Sequence, residues 1–403
     1  MGYTPAKNLD AYSIDSFGRS RISQLMSQFN LVQIRDKNPL FIDEVVNGTA
    51  TSVHQTNEAS TLMTTSSSGD YVIRQTKQRF HYLAGKSQII LRTFAKFHQE
   101  TNIEKKSGYY SSSTVAPYTA NLDGIFFSSD SDGIAVNIYK SGTVTDKTLQ
   151  ADWIFDKLDG SGPSGVTIDW SKSQIFIFDF QYLGVGHVRW FLAHNDTLIH
   201  FHSTYNANVI DSVYMSSPNQ PIRCEIRQTG VGSGQLREIC AAVSSEGTLD
   251  DIGFIRSENS GMTHVNMNST GVEYAIMGIR LKSTHADAQI VLNSLSFLEE
   301  TNDNYLWQIK LNPTIAGTFT YSDVSNSSVQ IAKGTTANVI TPTTGILLPS
   351  GYGFKNTSKE LDLKDSIRLG MKIDGTMDEL VITGTPKSPN ADISLALNWR
   401  EKI

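Results

Sequence analysis

Charged side chains are scarce in this sequence. They make up 18% of the 403 residues, the net charge is −6, and no segment is dense in lysine or arginine. We therefore expect no nucleic-acid partner, because a surface that follows phosphates needs clustered cations. Apolar runs of the ~20 residues that span a bilayer are also missing, so no membrane partner is expected. The first ten residues lack the apolar core of a signal peptide.

Cysteine is nearly absent, since Cys224 and Cys240 are the only two. They lie at equal distances on either side of Gly230–Gly234. If 224–228 and 236–240 pair as a hairpin, the two thiols face each other, and the geometry would permit a disulfide. The alternative, which we favour, is that both are small apolar core residues in a reducing compartment.

Patterns typical of β-strands occur along most of the sequence. Three β-branched and aromatic runs, 174–183, 187–194 and 197–202, follow one another with only turn residues between them. This pattern is typical of antiparallel sheet. The sequence therefore predicts an all-β fold: an antiparallel β-sandwich with a jelly-roll-like core, an N-terminal arm and a β-rich C-terminal region.

Three regions are predicted along the chain. Residues 1–45 form an arm, in which apolar spacings of three and four over 20–34 fit a short amphipathic helix or an irregular segment. Residues 46–300 form the β-sandwich core. After the polar stretch at its end, residues 301–403 form either a second domain or strands that complete the first, and 317–321 is one of the strands predicted there.

The hairpin around 195–196 can be placed in register. Counting outward from this turn, Phe191 faces His200 and Arg189 faces His202, so these side chains share one mixed face. Two histidines at i and i+2 can chelate zinc, but no third ligand is predicted beside them, and Arg189 would repel a cation. We therefore predict that Arg189, His200 and His202 belong to a polar interface and do not form a metal site.

No motif for reaction chemistry is complete. The sequence 85–87 resembles the end of a phosphate-binding loop, but position 80 is Phe where that loop needs glycine. The sequence 130–133 resembles part of a calcium loop, yet Ser141 stands where its glutamate belongs. No Gly-x-Ser-x-Gly elbow occurs. We predict no catalytic residue, no cofactor and no metal, and expect that the protein is not an enzyme.

The N-terminal sequence Asp15-Ser-Phe-Gly-Arg-Ser-Arg-Ile22 resembles the motif Asp-Ala-Phe-Gly-Arg-Leu-Arg-Val of tailed-bacteriophage virion structural proteins. The similarity covers roughly residues 10 to 245, with further blocks at 38–43, 54–60, 69–76, 85–88, 156–188 and 215–227. It implies a virion component, assembled in the host cytoplasm, that forms homo-oligomers and contacts head, neck or tail proteins.

Within that resemblance, the arm residues Phe17, Gly18, Arg19 and Arg21 are the candidate docking element. Gly18 permits a tight turn, and the two arginines could form two-point ion pairs with acidic residues of a partner. The alternative interpretation is that these arginines hold the arm on its own domain.

Three functions follow in order of preference. The first is a structural virion protein that assembles through its β-sandwich and its arm. The second is a receptor-binding tail or fibre module that recognises host-surface glycans. The third is a polysaccharide-cleaving enzyme, which would need two carboxylates in one groove.

Overall fold

The computed structural model describes residues 14–21, 23–247, 253–301, 303–354, 358–363 and 368–402, with the backbone alone for 358–360. These residues contain 26 β-strands and three short 3₁₀-helices, and no α-helix occurs among them. No helix in the described ranges is long and apolar enough to cross a membrane. The predicted all-β class is confirmed. The chain divides into two compact units, Met1–Asp250 and Asp251–Ile403.

The first unit contains fifteen strands and two 3₁₀-helices, Thr56–Glu58 and Gln150–Asp152. The strands are β1 (Leu25–Val32), β2 (Ile42–Asn47), β3 (Thr51–Gln55), β4 (Ser60–Thr65), β5 (Tyr71–Thr76), β6 (Gln88–Ala95), β7 (Ile103–Ser111), β8 (Asp123–Asp130), β9 (Gly133–Lys140), β10 (Thr143–Leu149), β11 (Gln174–Phe180), β12 (Val188–His194), β13 (Thr197–Thr204), β14 (Ile222–Gln228) and β15 (Gly234–Glu246).

These strands form two antiparallel sheets. The eight-stranded sheet has the order β13-β12-β11-β6-β15-β4-β3, and β1 pairs with the second half of β15. The seven-stranded sheet has the order β10-β9-β8-β7-β14-β5-β2. One apolar cluster, which includes Phe127 from β8, Phe176 from β11 and Trp190 from β12, joins the inner faces of the two sheets. The predicted antiparallel β-sandwich is therefore confirmed.

A buried ionic cluster also links the two sheets of this unit. Glu238, on the eight-stranded sheet, accepts hydrogen bonds from Arg74 on the other sheet (2.7 Å) and from Arg92 on its own (3.0 Å). Arg92 in turn donates to the Ser107 hydroxyl on β7. Burial favours the neutral acid, but the charges of Arg74 and Arg92 outweigh that effect and lower the pKa of Glu238.

The short amphipathic helix or irregular segment predicted over 20–34 is not formed, because Leu25–Val32 is strand β1. A β-bulge between Ser27 and Phe29 inserts one extra residue into the pairing with β15. The apolar side chains of Met26, Phe29 and Leu31 are buried or half-buried, and the bulge sets the first two three residues apart. Apolar residues three positions apart are also typical of an amphipathic helix, so the bulged strand has the sequence pattern of a helix. Residues 1–13, the start of the predicted arm, lie outside the described residues.

The cysteine hairpin is also not formed. Cys224 lies on β14 of the seven-stranded sheet, and Cys240 lies on β15 of the eight-stranded sheet. The glycine-rich segment 230–234 connects one sheet to the other, so β14 and β15 are not hydrogen-bonded neighbours. Both thiols are free.

The second unit contains eleven strands and the 3₁₀-helix Ser283–His285. The strands are β16 (Phe254–Asn259), β17 (Val265–Met267), β18 (Tyr274–Leu281), β19 (Gln289–Glu299), β20 (Tyr305–Leu311), β21 (Ser322–Asp323), β22 (Val329–Lys333), β23 (Ile346–Gly353), β24 (Ser358–Asp362), β25 (Leu380–Pro386) and β26 (Ala391–Lys402).

This unit is again built from two antiparallel sheets. The first has the order β16-β26-β19-β24 with β17 paired to β26, and the second has the order β21-β22-β18-β25-β20-β23. The division between the units falls about fifty residues before the boundary predicted near 300. The reason is that β19, which ends at Glu299, pairs along its length with the C-terminal strand β26. Strands distant in sequence therefore belong to one sheet.

Candidate functional site

The N-terminal residues 14–21 form a tight turn in the first unit. The Asp15 carboxylate accepts the backbone N–H groups of Phe17 (2.9 Å) and Arg19 (2.8 Å). Gly18 has φ +76°, a conformation that favours glycine. The Arg19 guanidinium lies 4.6 Å from the centre of the Phe17 ring and also donates to the Gly85 carbonyl. The turn predicted at Gly18 is therefore present.

The Asp179 carboxylate holds this turn against the sandwich. Asp179 faces Arg189 on the next strand and receives two hydrogen bonds from it, at 2.8 and 2.5 Å. Arg21 pairs with the same carboxylate, and the Ser16 hydroxyl donates to it at 2.7 Å. Arg21 is thus bound to its own unit, as the alternative interpretation of the arm predicts. Docking of Phe17, Gly18, Arg19 and Arg21 on a partner stays a prediction.

The hairpin register holds only near its turn. Residues 195 and 196 both have positive φ, as a two-residue hairpin turn requires, and Phe191 faces His200. A β-bulge between Trp190 and Phe191 then shifts the pairing, so Arg189 faces Ser203 in place of His202. His202 therefore leaves the predicted shared face and lies opposite Trp190, whereas His200 still faces Phe191 and is close enough to Arg189 for its charge to act on the imidazole.

The two histidines lie in different surroundings. His200 packs between the rings of Phe155 (4.5 Å) and Phe191 (4.6 Å). Burial, and then the positive charge of Arg189, lower the pKa of His200 to about 4. His202 lies opposite Trp190, and its pKa is lowered by burial. Within the described ranges, no group of three or more His, Cys, Asp or Glu side chains could hold a metal ion.

The second unit has an open pocket of about 440 Å³, which we call the Tyr321 pocket. Its lining residues come from β18, from the segment 313–321 and from the residue just before β25: Arg280, Pro313, Ile315, Gly317, Phe319, Thr320, Tyr321 and Glu379. None of them belongs to the candidate residues predicted from sequence.

The Tyr321 pocket lies on the outer face of the six-stranded sheet. Along β18, Ile279 and Leu281 belong to the main core of the unit, so Arg280 between them projects to the opposite side. Along β25, Val381 belongs to a separate apolar cluster into which Phe319 packs. The segment 313–321 therefore covers part of the outer face and forms one wall of the pocket.

An ion pair and two aromatic rings define the pocket chemistry. Arg280 donates to Glu379 at 2.8 Å and to Gln330 at 2.8 Å. The Arg280 guanidinium also lies 4.2 Å from the centre of the Tyr321 ring, within the range of a cation–π contact. The Phe319 and Tyr321 rings meet edge to face, with centres 5.6 Å apart. Burial, and then the negative charge of Glu379, raise the pKa of Tyr321, so its phenol stays neutral.

Glycine at position 278 makes room for these rings. A Cβ atom on Gly278 would lie 2.5 Å from the Tyr321 hydroxyl and 2.7 Å from a Phe319 ring carbon. The predicted strand over 317–321 is not formed, because this segment crosses the sheet without pairing as a strand. The alternation of Phe319 and Tyr321 was the one sequence signal for this region, and it reflects two rings that contact the same sheet face.

No family model and no curated protein matches this sequence. Among solved structures, the carbohydrate recognition domain of Emp47p is similar at 13% identity and a TM-score of 0.35, over 57% of this chain and 100% of that one. A Shewanella oneidensis protein of unknown function is similar at 9% identity and a TM-score of 0.35, over 62% of this chain and 99% of that one. A Bauhinia forficata lectin in complex with GalNAc is similar at 12% identity and a TM-score of 0.33, over 56% of this chain and 100% of that one. Similarities this weak say nothing about what this chain binds.

Proposed function

We propose that this protein recognises glycans without cleaving them, and that the Tyr321 pocket is its sugar-binding site. The observation that carries the proposal is the ion pair of Arg280 and Glu379 beside two half-buried aromatic rings, Phe319 and Tyr321. Pockets for small ligands combine apolar walls with a few fixed polar groups. The volume of about 440 Å³ suits one or two sugar rings.

The polar groups match the chemistry of a sugar. Carboxylate oxygens accept hydrogen bonds and guanidinium N–H groups donate them, so Glu379 and Arg280 together can bind two adjacent hydroxyls. Both side chains are about 30% exposed (28% and 32%), which leaves their outer atoms open to a ligand. Phe319 and Tyr321 offer the apolar surface on which the C–H face of a pyranose can lie.

Binding without cleavage fits the number of acids in the pocket. Hydrolysis of a glycosidic bond by the common mechanism uses two carboxyl groups on either side of that bond. Among the residues that line the Tyr321 pocket, Glu379 supplies the single carboxylate. Glu379 is also engaged in an ion pair with Arg280.

The test is glycan binding by the full chain. The labelled protein is screened on an array of bacterial surface glycans and neutral oligosaccharides, and the best ligand is then titrated by calorimetry. Glu379→Gln should weaken binding at least about tenfold, which corresponds to about 1.4 kcal/mol. The matched control is Glu258→Gln, because Glu258 has the same exposure (29%) and a similar ion pair with Lys333 (2.8 Å).

Two results would overturn this proposal. One is that the unaltered protein binds no glycan at millimolar concentration. The other is that Glu379→Gln and Glu258→Gln bind equally well. If shorter sugars are released from the bound glycan, the Tyr321 pocket still stands as the binding site, but the proposal that the protein does not cleave glycans is refuted.

A second candidate function is a structural part of a tailed-bacteriophage virion, where the protein forms homo-oligomers and contacts neighbouring head, neck or tail proteins. The observation that favours it is the sequence motif 15–22, which resembles that family. The Arg19 side chain supports it, because it is 56% exposed beside Phe17 and open to a partner. The two functions are compatible, since a tail or fibre component can bind host glycans.

The experiment for this candidate is deletion of residues 1–23 in the phage that encodes the chain. Incorporation into virions should fall, and the mass of the purified oligomer should decrease if the arm joins the subunits. Normal copy number of the truncated protein in intact particles would refute a docking role for the arm.

A further inference from the structure

The first unit has a second polar pocket, which we call the Lys96 cavity. Its volume is about 330 Å³, and its lining residues are Thr64, Lys96, His98, Glu100, Ser233, Gly234 and Gln235. It lies at one end of the eight-stranded sheet, where Gln235 of β15 faces Thr64 of β4 and where β6 ends just before Lys96. The segment after β6 and the segment before β15 form its two rims.

One rim is held rigid by a buried lysine. The Lys105 side chain is fully buried, and its ammonium donates to the carbonyl oxygens of Lys96 (2.7 Å) and His98 (2.9 Å) and pairs with Glu100. Lys96 has φ +59°, which is a costly conformation for a residue with a side chain. Such conformations persist where surrounding contacts fix them, and they concentrate at functional sites.

The opposite rim is fixed as well. The Gln228 amide donates to the carbonyls of Gly230 (2.9 Å) and Gly232 (2.8 Å), and the Asn102 amide donates to that of Val231 (2.9 Å). This glycine-rich segment is therefore held by side-chain hydrogen bonds at three successive residues. Two fixed rims mean that a ligand would lose little binding energy in ordering the site.

The cavity carries a positive charge without a partner. Glu100 is neutralised by Lys105, and His98 lies 3.7 Å from Glu100. The Lys96 ammonium has no ion-pair partner among the residues that the structure describes. Its charge also disfavours the charged form of the buried Lys105, so the two ammonium groups act on each other. An anionic ligand would relieve this repulsion.

The other lining groups favour a ligand rich in hydroxyls. Thr64 and Ser233 supply hydroxyls, and Gln235 supplies an amide that both donates and accepts. We propose that the Lys96 cavity binds an acidic sugar, with its carboxylate on Lys96 and its hydroxyls on Thr64, Ser233 and Gln235. This site is in a different unit from the Tyr321 pocket and does not depend on it.

The test uses the full chain and monosaccharides of known charge. D-glucuronate, D-glucose, acetate and inorganic phosphate are titrated by NMR or calorimetry at one ionic strength. Glucuronate should bind at least about tenfold more tightly than glucose, which lacks the charge, and than acetate, which lacks the hydroxyls. If phosphate or acetate binds as tightly as glucuronate, the cavity accepts any small anion, and the assignment to an acidic sugar is overturned.

Variants locate the binding. Lys96→Gln should abolish the preference for glucuronate over glucose, whereas Lys157→Gln, which removes an exposed charge from the same unit, should not. Gln235→Ala gives a second test without a change of charge and should weaken glucuronate binding. Glu379→Gln should bind glucuronate like the unaltered protein, so failure of the Tyr321 pocket and failure of this site are distinguishable. Unchanged binding by both Lys96→Gln and Gln235→Ala would overturn the proposal.

Discussion

Arg189 and Asp179 face each other on neighbouring strands and form a two-point ion pair, with both oxygens of the carboxylate engaged. The pair lies on the outer face of the eight-stranded sheet, and both side chains are nearly fully buried. The N-terminal turn covers them, since the Ile14 carbonyl accepts a hydrogen bond from Arg189. This pair is therefore the anchor by which the N-terminal turn is attached to the first unit.

We expect Asp179→Asn to detach the N-terminal turn and to destabilise the first unit. The change leaves two buried guanidinium groups, of Arg189 and Arg21, without their shared charge. Loss of one partner of a buried ion pair typically costs about 3–5 kcal/mol. Urea unfolding followed by tryptophan fluorescence measures the loss, and faster tryptic cleavage after Arg19 or Arg21 reports the detachment. The exposed Asp169→Asn is the control, and equal behaviour of the two variants would refute the anchor.

His200 should make the first unit less stable in mild acid. Its pKa is about 4 in the folded protein and about 6.5 in an unfolded chain, so between these values only the unfolded state binds the proton. The stabilisation of the folded state by neutral His200 is fully present above pH 6.5. It is lost as the pH falls toward 4, by about 1.4 kcal/mol per pH unit. His200→Phe, which keeps the ring contacts, should flatten the stability curve in this window. An unchanged slope in urea unfolding from pH 7 to 4 would contradict the prediction.

Glu238→Gln should weaken the contact between the two sheets of the first unit. It leaves Arg74 and Arg92 buried with no shared carboxylate, and we expect a loss of about 3–5 kcal/mol in the free energy of unfolding. Glu104→Gln is the control, because the Glu104–Arg227 pair is exposed and long (3.8 Å) and should contribute under about 1 kcal/mol. Similar losses for both variants would argue against a special role of the buried cluster.

The two cysteines should react differently with a thiol reagent. Burial raises the pKa of Cys224 to about 12, so it should stay unreactive at pH 8 until the protein unfolds. Cys240 is half-exposed, and burial raises its pKa less, so it should react slowly in the folded state. The variant Cys224→Ser keeps only the reaction of Cys240 and so shows which thiol reacts in the folded protein and which reacts only on unfolding. Rapid native-state reaction of Cys224, or a mass lower by two hydrogens that indicates a disulfide, would contradict the structure.

Gly278→Ala should close the Tyr321 pocket without unfolding the second unit. The added methyl group would lie 2.5 Å from the Tyr321 hydroxyl and 2.7 Å from a Phe319 ring carbon, so these two rings must shift, while the backbone at 278 is in an ordinary conformation. We expect glycan binding to fall at least about tenfold and the thermal midpoint to change little. The control is Gly261→Ala, which has open space around it but a φ of +71°, so this variant should lose some stability and keep full glycan binding. Full binding by Gly278→Ala would show that the two rings do not contact the ligand.

Local patterns determined the strands of this protein. The runs 174–180, 188–194 and 197–204 are strands because β-branched and aromatic residues alternate there. The turn at 195–196 followed from residue types that tolerate positive φ. These features depend on neighbours in the chain, and the sequence alone was sufficient to predict them.

The tertiary structure decided the register and the sites. A single extra residue in β1 and another near Trp190 each moved side chains to a different partner, and no local pattern marks a bulge. Asp179 is the one acidic residue in an apolar run, but its role depends on Arg21, which is 158 residues away in sequence. The Tyr321 pocket also depends on residues distant in sequence, because it joins Arg280 of β18, Glu379 before β25 and the segment 313–321. Sequence thus determined which residues form strands, while long-range packing determined which side chains meet.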